Sequence, residues 1–324
     1  MKRLLLFVFC TILFTISCDE DPQINLDQIS INTEVQRFDR AFYTLDTTHF
    51  EEGLNAIREK YAPFFSNEAE MIFWRNQRKD ELQNKLFALT EQEFGDMTNW
   101  EQELNRLMKR YYYYFGTEDS LEVFTYISRL DFNYPIVVSK PYIFIALDLY
   151  LGEAAKEYYE ILPQYLQYHR QSQFMLRDVA YALAEKRVPK PAEPVSLLDA
   201  MLYQGKLLKL TELLLGEVEE GTLMVYPPEK QKFCVEHEKE MWIYFIEQQM
   251  LFKSDEELKR RFMSVAPFSK FRTNIDAETP GRVGWWFGYR VLEAYLDEYP
   301  EQGLAEWLGE MDSRKILKLS SYKP

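Results

Sequence analysis

Arg177, Asp178 and Tyr181 sit in the stretch FMLRDVAYALAEK, where Leu176, Val179, Ala180 and Leu183 recur at helical spacing. Arg177 and Tyr181 are i and i+4, so they share one helix face. A second helical stretch, SLLDAMLYQGKLLKLTELLL, carries Asp199 and Gln204, with Leu198, Met201, Leu202, Gly205 and Leu208 as its apolar positions. A helix pair of this kind holds zinc when the first helix carries HExxH, because two imidazoles then share a face beside a glutamate base. These residues cannot do that. A guanidinium is a permanent cation that only donates, and it repels a cation placed beside it. Tyrosine and glutamine are poor zinc ligands next to His, Cys and carboxylate. His237-Glu238 is the only His-Glu dipeptide, and its i+4 position is Met241, so the chain contains no HExxH. The three histidines, His49, His169 and His237, are far apart and read as separate surface residues. A guanidinium in a partly buried site needs an acceptor, and Asp199 is the expected partner of Arg177. Arg177, Asp178, Tyr181, Asp199 and Gln204 therefore read as a polar structural core or a small binding cleft. No residue is assigned a catalytic role, and no metal or cofactor is expected. The plain alternative is two ordinary amphipathic core helices.

The elements that must position these residues can be read from pattern. The break RVPKPAEPV has three prolines and continues neither helix. Ser196 stands where the second helix needs its N-cap. Alternation from Ile29 through Ile31, Thr33 and Val35 predicts a first strand running to Phe38. Residues 50–61, 67–87 and 99–114 read as helices. The run Tyr111-Tyr112-Tyr113-Tyr114-Phe115 reads as a helix end with some rings in the core, stopped by Gly116. Strand signals follow at 121–130, 136–138 and 142–150, and helical turns at 153–168, interrupted by Pro163. Residues 230–252 read as one helix. Gly281, Gly284 and Gly288 share a face of a late helix, where each glycine costs roughly 1 kcal/mol unless another backbone approaches closely. The expected fold class is α+β, predominantly helical with one small mixed β-sheet.

The N-terminus carries its own signal. Lys2 and Arg3 precede an apolar run from Leu4 to Ile16 that is too short to span a bilayer and ends at Ser17-Cys18. A small residue before Cys is the pattern cut by bacterial lipoprotein signal peptidase, although Thr15 stands where Leu is usual. The expected organisation is a signal peptide at 1–17, a lipidated Cys18 with a tether at 18–28, and one globular domain at 29–324. Two or more acyl chains on Cys18 would make a stable anchor, at roughly 0.8 kcal/mol per buried methylene. Of the three cysteines, Cys10 leaves with the signal, Cys18 is acylated, and Cys234 remains as a buried thiol with no disulfide partner. The formal net charge of -14 disfavours nucleic acid as a partner. The acidic run Asp19-Glu20-Asp21 after the anchor resembles a surface-export signal of Bacteroidota lipoproteins, or else is a solvated tether.

The lipobox, YIFIALDLYLGE, LLDAMLYQGK, PGRVGWWFGYRVLEAYL and the terminal SSYKP, in this order, resemble the GldB family of gliding-motility lipoproteins of Bacteroidota. The layout also resembles a wider zincin-like group of metalloproteases, with the HExxH positions falling on Arg177, Asp178 and Tyr181 and the third-ligand position on Gln204. In that group a small sheet precedes the active-site helix, an order this chain keeps. The resemblance implies an envelope lipoprotein, lipid-anchored on the periplasmic side or at the outer membrane, needed for gliding and working alongside the type IX secretion apparatus. Its implied partners are the membrane, through the lipid, and other gliding-machinery lipoproteins and envelope proteins. A non-catalytic structural or interaction role fits the missing metal ligands. The competing expectation is a zincin-like peptidase or other envelope hydrolase with an unorthodox site.

Overall fold

The computed structural model describes residues 25–65, 69–117, 120–273 and 276–324. Cys10, Cys18 and the signal lie outside these residues. The fold is α+β and mainly helical, with one mixed four-stranded sheet, as its patterning predicts. No helix among the described residues is long and apolar enough to cross a membrane.

The strands are β1 (Val35–Arg37), β2 (Glu122–Tyr126), β3 (Ile136–Ser139) and β4 (Tyr142–Ala146), in the order β1-β2-β4-β3. β1 and β4 flank β2 in parallel, and β3 runs antiparallel to β4. β1 is shorter than its alternation. Its register, Val35 on Val123 through Arg37 on Thr125, leaves nothing for Thr33 to pair with in the sheet. The Asn105 side chain takes that role, accepting from the Thr33 amide at 2.6 Å and donating to its carbonyl at 3.2 Å. One sheet face is aromatic: Phe64 stacks on Phe38 at 3.9 Å and meets Phe124 and Phe144 edge-on.

Two predicted helices are broken. The segment expected to be one helix from 67 forms Met71–Lys79 and Glu81–Phe94, because Asp80 turns extended and caps the second through the Gln83 amide. The segment 230–252 forms Pro228–Glu236 and Glu238–Glu247, interrupted at His237. The tyrosine run behaves as expected: Tyr111 and Tyr112 are buried, Tyr113 is exposed, and the helix Thr98–Phe115 ends at Gly116 with φ 80°. Cys234 is a free, buried thiol.

The helix Leu197–Leu215 runs through the centre of the molecule and is apolar around most of its circumference. It packs against Met175–Glu185 on one side and Val283–Glu298 on another. The second contact is backbone on backbone. A Cβ on Gly205 would lie 2.2 Å from the Gly288 carbonyl oxygen, and one on Gly288 would lie 1.7 Å from the Met201 carbonyl oxygen. The end of the chain closes over the same helix. Buried Lys206 donates to the Leu308 carbonyl at 3.0 Å, Ser313 bonds Asp199, and Tyr322 packs edge-on against Trp242.

Candidate functional site

The Met175–Glu185 helix lies beside β3 and presents Arg177, Asp178 and Tyr181 next to the central helix. Tyr181 donates to Gln204 Oε1 at 2.7 Å, so these two meet as the spacing predicts. The Arg177 guanidinium lies 4.5 Å above the Tyr181 ring. Its Nε donates to the Leu223 carbonyl at 2.9 Å and its Nη1 to Asp178 Oδ1 at 3.0 Å. The other Asp178 oxygen accepts from Tyr150 at 2.8 Å. Burial, then the adjacent Asp178 charge, push the Tyr150 hydroxyl well above its ordinary range. Burial raises the Tyr181 hydroxyl too, against the pull of Arg177.

Asp199 is not in this group. Its carboxylate is held by the Ser196 amide at 2.8 Å and the Ser196 hydroxyl at 2.6 Å, closing a capping box, and by Ser313. The expected Arg177–Asp199 bond is therefore replaced by Asp178 and the Leu223 carbonyl. Residues three apart at a helix start satisfy each other without ordering any further chain, which outweighs a cross-helix reach.

Four residues that pattern reading leaves out or misplaces complete the site. Arg282 is the N-cap of Val283–Glu298 at φ 58°, and its Nη2 donates to the Met224 carbonyl at 3.0 Å. Trp285, one turn on, stacks parallel to Tyr181 at 5.9 Å, and the Arg282 guanidinium lies 4.9 Å from the indole. The aromatic pair is thus sandwiched between two cations, Arg177 and Arg282. Arg170 lies over the Phe132 ring at 5.6 Å. His169 corrects the reading of a surface histidine: it is half-buried, with Nε2 3.5 Å from Arg282 Nη2. Burial first, then the charges of Arg282, Arg170 and Arg177, lower its pKa to about 2, so the ring is neutral and available as an acceptor. Of the other two histidines, His49 is exposed, as expected of a surface residue, whereas His237 is half-buried against the Phe233 ring.

Chemically, the site is cationic and rich in donors. Among the described residues no group of three or more His, Cys, Asp or Glu is placed to hold a metal ion. The elements here can fix an acceptor group.

Comparison with known proteins gives one match. The family model described as gliding motility protein GldB matches residues 18–324. No curated protein and no solved structure matches the chain. The match runs through every element of the site, from β1 to the terminal Tyr322, and on that basis the chain belongs to the GldB family of gliding motility proteins.

Proposed function

We propose that this member of the gliding motility family is a non-catalytic envelope lipoprotein, anchored through Cys18, that acts by binding other components of the gliding machinery alongside the type IX secretion apparatus. One observation carries the non-catalytic reading. The positions from which a metal-holding helix pair would present its ligands are occupied by Arg177, Tyr181 and Gln204, and these side chains are engaged with each other or with Asp178. A fixed cation at the first of these positions opposes any metal there. The anchor is supported by Ser17-Cys18 after a short apolar run and by a family match that begins at Cys18.

The purified full-length chain should carry no equimolar zinc and should cleave no peptide. Equimolar zinc that is lost on Tyr181→Ala or Gln204→Ala would overturn the non-catalytic reading. Cys18→Ala should abolish acyl labelling and release the protein from the membrane fraction; unchanged labelling would overturn the anchor.

A further inference from the structure

The charges around the helix pair do not balance. Arg170, Arg177 and Arg282 are 9%, 5% and 6% exposed. Among the described residues, Asp178 is the only carboxylate in hydrogen-bond or ion-pair contact with any of them. The three guanidiniums together have one carboxylate in direct contact, through Arg177, and the more distant Glu185 also acts on Arg177, so the place holds an excess of partly desolvated positive charge, which is costly without a counter-charge. The donors do not balance either. Arg177 Nη2 and Arg170 Nε are buried with no hydrogen-bond partner, and the Arg170 side chain meets only the face of the Phe132 ring among the described residues.

These spare donors belong to one place. Arg177 and Arg282 stand against the stacked Tyr181–Trp285 pair, and Arg282 Nη2 lies 3.5 Å from Nε2 of His169, the residue before Arg170. The place is not sealed: the Asp178 side chain is 22% exposed, and Tyr181, His169 and Trp285 are half-buried.

We propose that the Arg170–Arg177–Arg282 cluster binds a phosphate group, as inorganic phosphate or as the head of a small phosphomonoester. Guanidinium forks match phosphate oxygens in geometry. A phosphate dianion brings more counter-charge and more acceptor oxygens to the guanidiniums than a monocarboxylate does. Orphaned Arg177 Nη2 and Arg170 Nε supply the bonds, and Asp178 marks the side from which an ester tail would leave. The inference rests on the non-catalytic reading of the same helix pair. Failure of phosphate binding leaves that reading standing, whereas equimolar zinc ends both.

The test uses the purified full-length chain in detergent, with inorganic phosphate, glycerol 3-phosphate and acetate titrated at constant ionic strength and followed by calorimetry and thermal unfolding. Saturable one-to-one binding of at least one phosphate species is expected, and none of acetate. Tighter binding of the ester identifies an organic phosphate as the ligand, and equal or tighter binding of the inorganic ion identifies free phosphate. Arg170→Gln should weaken binding at least tenfold. It should leave the ligand-free melting temperature within a few degrees of the parent, because removing an uncompensated buried cation offsets the loss of its contact with Phe132. Arg260→Gln, in the separate surface cleft formed with Lys270 and Arg272, should bind like the parent. Absence of saturable binding, equal binding by Arg170→Gln, or loss of binding in Arg260→Gln would each overturn the proposal.

Discussion

Tyr181 does three things at once: it supports the Arg177 guanidinium, stacks on Trp285 and donates to Gln204. Tyr181→Phe keeps both ring contacts and removes only the hydroxyl, leaving the Gln204 acceptor to find another donor. We expect a loss of about 1 kcal/mol in denaturant unfolding, the usual worth of one such bond. Tyr181→Ala removes the ring as well and should cost about 3 kcal/mol or more. His169 makes stability depend on pH. Its folded pKa lies far below its ordinary value of 6.5, so below that value the unfolded chain takes up a proton that the folded chain refuses. Unfolding free energy therefore rises with pH across this window and falls on acidification through 6.5, with a slope of at most about 1.4 kcal/mol per pH unit from this group. His169→Gln should flatten the slope between pH 7 and pH 5; an unchanged slope would remove His169 from the account. At this scale, the i, i+4 spacing made Arg177, Tyr181 and their meeting with Gln204 legible in sequence. Arg170, His169, Arg282 and Trp285 were not legible there, because loop and distant-helix residues converge only through tertiary packing. The true role of Asp199 was legible, since Ser196-x-x-Asp199 is a capping-box spacing.

Among the elements, the crossing of Leu197–Leu215 with Val283–Glu298 is the least tolerant of change. Glycines at Gly205 and Gly288 allow main chain to touch main chain; the spacing of Gly284 and Gly288 signalled a close approach before the partner was known, while Gly281 lies ahead of the helix. Gly288→Ala places a methyl where the Met201 carbonyl already is, so the helices must separate along their length. We expect a loss of about 3 kcal/mol, the upper part of the range for overpacked cores. Gly303→Ala, whose methyl would meet nothing within 4 Å, should stay within about 0.5 kcal/mol. The misread elements have local causes. Asp80 and His237 each interrupt an apolar period that continues on both sides, so periodicity alone joins what the backbone separates. β1 stops short because a side-chain amide on a helix, Asn105, substitutes for a strand partner, and alternation cannot reveal that.

At the scale of the molecule, one continuous apolar core joins the sheet end to the central helix and to the final helices. A mainly helical α+β class was legible because most segments keep one period for many residues. The sheet's strand order was not, since β1 reaches β2 across the helices between them. The last helix, Ser313–Leu319, and Tyr322 belong to this core and are not an appendage. A chain ending at Asp312 loses buried Ile316, the Ser313 bond to Asp199 and the Tyr322 ring. It should melt with a broadened transition at a temperature at least several degrees lower, measured by circular dichroism; an unchanged sharp transition would show the segment to be dispensable.

The closing of the chain end over Leu197–Leu215 also sets an order of events during synthesis. This helix leaves the ribosome well before the two pieces that cover it, Val283–Glu298 and the segment ending at Tyr322. Until they follow, the part of its leucine surface turned away from Met175–Glu185 has no permanent partner, and the Lys206 amine has no carbonyls from 308 and 310 to cap. Contacts so distant in sequence form late. The packing around this helix is therefore completed last, when the segments from 283 onward are available to cover it.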